Sequence, residues 1–192
     1  GTELALLACS GSQSPDLYNP NQKYASEKPQ LQQLTEQIAA RGGTQPKAVF
    51  LSLGGNNVGF ADVIITCYAA GTLTSPVGAA ACDDMVRMAV KKIQQSLSGT
   101  LRDDYLAVLG RVDPTTPVYV IGYPQILSGS IFDSRRRCLW LNMISVSTGR
   151  LLGVASELDN TLARTVENLR EKDDVRPKNI YYIPTFDVLR SE

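Results

Sequence analysis

Histidine is absent from all 192 residues. Its absence removes from this chain the usual general base near neutral pH, the commonest zinc ligand and any complete Ser-His triad. An excess of one charge is also missing: Lys+Arg and Asp+Glu stand at 19 each, so no global field recruits nucleic acid or an anionic membrane. The only dense basic run, Arg135-Arg136-Arg137, reads as a solvated loop, with contact to an anionic ligand as its alternative. No uninterrupted apolar stretch approaches the roughly 20 residues of a membrane span. The sequence opens in the strand-like run Glu3 to Cys9, with no signal-peptide pattern ahead of it. Repeats, low-complexity tracts and interdomain linkers are lacking as well, which makes one domain over 1–192 the expectation.

What is present is an ordinary globular composition, 43% hydrophobic and 20% charged, on a chain long enough for one well-packed core. There are four cysteines: Cys9, Cys67, Cys82 and Cys138. Cys67 and Cys82, 82 − 67 = 15 positions apart, flank a loop containing Gly, Ala and Pro and read as a local disulfide. Closing so short a loop contributes about 3 kcal/mol in the chain-entropy model. In a cytosolic protein the same two would read as unrelated buried thiols. Spacing leaves the pairing of Cys9 and Cys138 open.

Strand-like and helix-like patterns alternate. Residues 3–9 predict a buried strand, and Ser10 to Pro15 a loop. Residues 16–29 are polar and turn-rich. Pro29 can open a helix in which Leu31, Leu34 and Ile38 recur at helical spacing, before Gly42-Gly43 ends it. Lys47 to Leu53 is a largely apolar strand, and Phe60 to Ala70 fits a short helix. Residues 83–111 carry apolar positions for one long amphipathic helix or a broken pair, in which Met85 and Met88 are core filler rather than a metal box. Val118 to Pro124 predicts a third strand, 140–171 a long helical region, and Ile180 to Pro184 a fourth strand. Strands separated by helices imply a mainly parallel sheet with right-handed crossovers, hence an α/β fold, a three-layer α/β/α sandwich.

Three strand exits are rich in glycine or polar groups: Ser10-Gly11-Ser12, Gly54-Gly55-Asn56-Asn57 and Tyr123-Pro124. In a parallel sheet these exits share one rim, where ligands usually sit. Val49 to Phe60 is the most telling run, since two glycines let backbone approach a ligand closely and Asn56 supplies a fixed N–H donor. Such a donor suits an oxygen that turns negative during acyl transfer. The plainer reading is a strand-to-helix turn in which Asn56 or Asn57 caps the next helix. No Gly-x-Gly-x-x-Gly fingerprint follows a strand, which places a nucleotide-binding flavodoxin-like domain last. Ser10 and Ser12 lie on this rim, but neither sits in a Gly-x-Ser-x-Gly elbow. No spacing supports pairing either serine with Lys23 or Lys47.

Leu7-Ala8-Cys9-Ser10-Gly11-Ser12, Gln33-Leu34, Val49 to Phe60 followed by Cys67, and Gly122-Tyr123-Pro124 together resemble the middle of a secreted bacterial SGNH (GDSL-type) esterase or lipase, in order and approximate spacing over most of the chain. The third block is the specific one. The resemblance implies a flavodoxin-like SGNH hydrolase fold and a secreted or otherwise extracytoplasmic ester hydrolase acting through a serine acyl-enzyme. It implies a small-molecule or lipid ester substrate and no metal or organic cofactor. By motif match Gly11 supplies a backbone N–H and Asn56 a side-chain N–H to the oxyanion hole. The family usually has aspartate where Asn57 stands, which touches a secondary loop-ordering contact.

Two blocks of the family are missing from these residues: the Gly-Asp-Ser block with the nucleophile, and the histidine block expected after the last strand, where Phe186 to Glu192 stands instead. The resemblance also implies partners for Cys9 and Cys138 that this chain does not contain. The expectation is therefore an internal portion of a hydrolase, incomplete at both ends, with other fragments of the same protein as candidate partners. The alternative is a catalytically inactive SGNH-like binding module, which a reading frame confined to Gly1–Glu192 would favour. The loops at 12–29, 67–82 and 125–139 are the candidates for shaping a pocket.

Overall fold

The computed structural model describes residues 3–21, 27–73, 76–124, 145–172 and 179–185. The expectations placed on Lys23, on 125–139 with Arg135 to Arg137 and Cys138, on 140–144 and on Phe186 to Glu192 lie outside the described residues. Helix α1 spans Gln30–Ala40, with Pro29 at its N-cap and Gly42 and Gly43 beyond its end. Strand β1 is Val49–Leu51, α2 Gly55–Val58 and α3 Phe60–Leu73. Helix α4, Pro76–Lys92, runs through a five-residue π turn at Ile93–Leu97 into α5, Ser98–Leu109. Strand β2 is Val118–Ile121, α6 Ser145–Lys172 and β3 Ile180–Ile183.

The three strands form a parallel sheet in the order β1-β2-β3, in register Val49 to Val118 to Ile180. This is the α/β fold with a parallel sheet that the alternating pattern implies. Val118, Val120 and Ile180 are buried in one cluster with Leu151, Leu158 and Leu162 of α6 and Leu101 and Tyr105 of α5. The alternate positions Phe50, Tyr119 and Tyr181 form a row of rings across the sheet, stacked between Phe50 and Tyr119 and tilted between Tyr119 and Tyr181, with the Arg170 guanidinium 5.0 Å over Tyr181. Phe50 is 58% exposed, so this side of the sheet is open among the described residues.

Two expectations are corrected. Residues 3–9 form no strand: Leu4 and Leu6 are 84% and 78% exposed. An apolar run becomes a strand only where a neighbour satisfies its backbone groups. Here the segment is tied by side chains instead, with Gln30 Nε2 donating to the Leu7 carbonyl at 3.1 Å and Arg41 pairing with Glu3 at 3.1 Å. The expected loop between Cys67 and Cys82 is instead the meeting of α3 and α4, each of which carries one of the two cysteines. The disulfide itself is present. Both cysteines are fully buried, so the bond also fills core.

The passage from α4 to α5 settles the choice between one helix and two: the chain stays helical throughout, and the π turn absorbs a mismatch. Ala89, Ile93, Leu97, Leu101 and Tyr105 are all buried, and their four-residue spacing lags behind the 3.6-residue turn. One wide turn restores them to a single face.

Candidate active site

At the end of β1 the chain turns at Gly54, whose φ of 109° is a conformation that side-chain-bearing residues rarely adopt. A Cβ at Gly54 would meet Leu158 and Leu162 at 3.5 Å, an ordinary contact, so it is the backbone angle rather than room that calls for glycine there. Gly55 opens α2, so its N–H has no partner within that helix. The Tyr123 hydroxyl, at the end of β2, accepts it at 3.0 Å. A Cβ at Gly55 would stand 2.8 Å from that same oxygen. The two glycines thus have separate reasons: one for backbone angle, the other for room beside Tyr123.

Tyr123 is itself held. Its N–H donates to Asp159 Oδ1 at 3.3 Å, and the Tyr182 hydroxyl donates to the same oxygen. Burial, and then donation to Asp159, push the Tyr182 phenol well above its ordinary pKa. A Cβ at Gly122 would collide with both the Tyr182 hydroxyl and Asp159. The exits of β1, β2 and β3 are therefore joined through one carboxylate on α6.

Asn56 is exposed on α2, and its Nδ2 donates to the Ser12 carbonyl at 2.9 Å. The loop that carries Gly11 thereby reaches the rim although no strand delivers it. Gly11, at φ 79°, sits in a turn closed by the Ser12 N–H on the Cys9 carbonyl at 3.2 Å. Asn57 binds the same loop from the next position, its Nδ2 donating to Ser14 Oγ at 2.7 Å and its Oδ1 accepting the Ser14 N–H at 3.4 Å. Asn21 Nδ2 donates to Ser12 Oγ at 3.2 Å. Farther along, the Tyr18 hydroxyl donates to Asp104 Oδ1 of α5 at 2.9 Å.

Asp104 is 2% exposed. Burial pushes its carboxyl above the usual carboxylate range, opposed by the hydroxyls of Ser14 and Tyr18. Its Oδ2 has no hydrogen-bond partner among the described residues. Tyr18 is pushed up to about 12, by desolvation and then by its bond to Asp104.

Of the two residues assigned an oxyanion role by motif, Gly11 stands on a loop and Asn56 on α2, and a hydrogen bond joins the two elements. Residues 44 positions apart in sequence meet there. Sequence reasoning does not single out Ser14, Asp104, Asp159 or Tyr182. One signal exists for Asp104: it lies between Leu101, Tyr105 and Val108 on the buried stripe of α5, where an unpaired charge is costly. Among the described residues, a cleft of about 270 Å³ lined by Leu17, Tyr18, Leu31 and Arg111 draws on the 12–29 loop but includes neither Gly11 nor Asn56.

No family model matches the chain. A lipase from Streptomyces rimosus is 33% identical over 132 residues, 68% of this chain and 40% of that protein. The solved structure of an extracellular lipase from Streptomyces rimosus aligns with a TM-score of 0.59 and 24% identity, over 91% of this chain and 57% of the other. Phospholipase A1 from Streptomyces albidoflavus NA297 aligns with a TM-score of 0.54 and 23% identity, over 78% and 55%. The chain spans about half the length of these relatives. A sequence relationship to a lipase and a fold shared with two solved structures converge on one reading: the chain is similar to Streptomyces lipases and has their fold, in keeping with its resemblance to the SGNH (GDSL-type) hydrolases.

Proposed function

We propose that this chain is the internal portion of a carboxylic-ester hydrolase of the lipase or esterase type, secreted or otherwise extracytoplasmic, whose nucleophilic serine and histidine lie outside these 192 residues. Its contribution to the chemistry is the oxyanion hole. The serine attacks the ester carbonyl carbon, the carbonyl oxygen becomes negative, and the histidine takes the serine proton and passes it to the leaving alcohol. The Gly11 N–H and the Asn56 carboxamide donate to that oxygen. Water then releases the acyl group by the same steps.

The observation that carries this reading is the Asn56 to Ser12 hydrogen bond of 2.9 Å. A carboxamide nitrogen has two N–H groups. With one spent on the loop of Gly11, the amide is oriented before substrate arrives, and the second N–H is available beside Gly11. Preorganised donors of this kind need no rearrangement as charge develops. A lipid or other small ester is the substrate class, in keeping with the relatives' names. The buried Cys67–Cys82 disulfide supports an oxidising compartment, and Cys9 and Cys138 would pair with cysteines beyond this chain.

The test is Asn56→Ala in the full-length gene product. Loss of one oxyanion donor lowers kcat about 100- to 1,000-fold, with the fold retained. Turnover close to that of the unsubstituted enzyme removes Asn56 from the mechanism. The absence of histidine favours one second reading, a binding module that holds an ester without cleaving it. A full-length product that binds but never turns over an aryl ester would establish that one instead.

A further inference from the structure

One acid on α6 holds the exits of two strands through a single oxygen. Asp159 Oδ1 accepts the Tyr123 N–H at 3.3 Å and the Tyr182 hydroxyl. It comes that close because Gly122 has no side chain to stand in the way. The strand residue it holds then reaches the third exit: the Tyr123 hydroxyl accepts the Gly55 N–H at 3.0 Å. Gly55 is the first residue of α2, so its N–H has no partner inside that helix. Asn56 is the next residue. Helix α6 also borders the turn through Leu158 and Leu162 at Gly54, but apolar contacts have no direction and leave the orientation of the Gly55 peptide unset. The directional contact is that of Tyr123. Asp159, Tyr123 and Gly55 thus form a series that ends one residue short of the Asn56 carboxamide.

We propose that Asp159 is a positioning residue for the oxyanion donor Asn56, acting through Tyr123 on the first peptide of α2. The proposal rests on the oxyanion role given to Asn56. Position 159 must supply an acceptor with room for two donors. Negative charge strengthens both bonds, but the lone pairs set their direction. A carboxamide oxygen also has two lone pairs, so asparagine can take the same two donors and alanine can take neither. Because the phenol oxygen is the link to Gly55, position 159 matters to Asn56 only while position 123 is tyrosine.

The experiment compares Asp159→Asn, Asp159→Ala, Tyr123→Phe and the combination of Asp159→Ala with Tyr123→Phe in the full-length hydrolase, assayed on p-nitrophenyl butyrate. Asp159→Ala is expected to lower kcat about tenfold or more at nearly constant KM, since displacement of a catalytic donor by an ångström costs up to about 100-fold. Asp159→Asn should stay within a few-fold of the unsubstituted enzyme. In the Tyr123→Phe background Asp159→Ala should cost no further kcat. Equal losses for asparagine and alanine at position 159 overturn the proposal, and so does a full additional loss in the phenylalanine background. Hydrogen exchange at the Gly55 amide is the second measurement and needs no turnover. Asp159→Ala and Tyr123→Phe should each speed it about tenfold relative to the amides of β2, the equivalent of one lost hydrogen bond, while Asp159→Asn leaves it protected. A Gly55 amide as protected in Asp159→Ala as in the unsubstituted protein ends the proposal. If Asn56→Ala leaves kcat unchanged, it is the oxyanion reading that fails, and the exchange measurement then decides alone whether Asp159 fixes the Gly55 peptide.

Discussion

The Nδ2 of Asn56 donates to the carbonyl oxygen of Ser12 at 2.9 Å, so a loop with no strand behind it is fastened to the exit of β1 by one amide. The direction of that bond matters. On the proposed mechanism it makes position 56 a place where a donor is required twice, once for the loop and once for a developing oxyanion.

Asn56→Asp is therefore expected to be worse than Asn56→Ala. The carboxylate cannot donate to the Ser12 carbonyl, and it sets a negative charge where the proposed mechanism generates another. In the full-length enzyme kcat should fall at least as far as for the alanine variant, by the about 100- to 1,000-fold of a lost oxyanion donor. Steady-state kinetics on an aryl ester would show it, and an aspartate variant more active than the alanine one would contradict the donor role.

Tyr123→Phe leaves the Gly55 N–H without its acceptor while keeping the ring that fills the space beside it. A part-buried donor left unsatisfied costs about 1–3 kcal/mol. Denaturant unfolding should report that loss. Since Gly55 is joined to Asn56, kcat should fall with KM little changed.

Replacing Cys67 and Cys82 together with alanine should destabilise the protein by about 2–5 kcal/mol. The bond closes a short segment, and its buried sulfurs also fill the contact between α3 and α4. A reductant should lower the Tm of the unsubstituted protein by more than it lowers that of the double variant.

Asp104 gives a pH dependence of definite sign. Its carboxyl pKa is raised in the folded protein, first by burial and further by Asp103, against the lowering by Ser14 and Tyr18. Between the ordinary aspartate value and the raised one, the folded state holds more protons than the unfolded chain. Stability from this group is present in acid and is lost as pH rises through that window. The Tm of Asp104→Asn, measured relative to the unsubstituted protein, should accordingly climb from acid towards neutral pH and then level. A difference that is flat across the range would count against the raised value.

Much of the scaffold was legible because it depends on local pattern. The apolar runs of β1, β2 and β3, the spacing of Leu31, Leu34 and Ile38 in α1, and the glycines that end it all carry their signal within a few residues. The run at 3–9 misleads for the complementary reason: its composition is that of a strand, but strandedness belongs to a pair of segments. The site was legible only in part. Gly54 to Asn57 announces itself, while the use of Asn57 depends on Ser14, 43 positions away, and the anchoring of Tyr123 on Asp159, 36 away. No periodicity encodes such meetings. Asp104 alone left a local trace, as an acid on a buried helical stripe.

The π turn at Ile93–Leu97 amounts to a one-residue change of phase between α4 and α5. Each residue of a regular helix advances by about 100°. Deleting one residue there would let the helix run on regularly with α5 still in phase with α4, whereas a deletion in the regular part of either helix would rotate one against the other by about that angle. After the deletion in the π turn Asp104 would still face Tyr18, while after a deletion at regular helix it would swing away as the disulfide-anchored end of α4 stayed in place. The π turn is thus the one place in this long helix where losing a residue leaves both buried faces where they are.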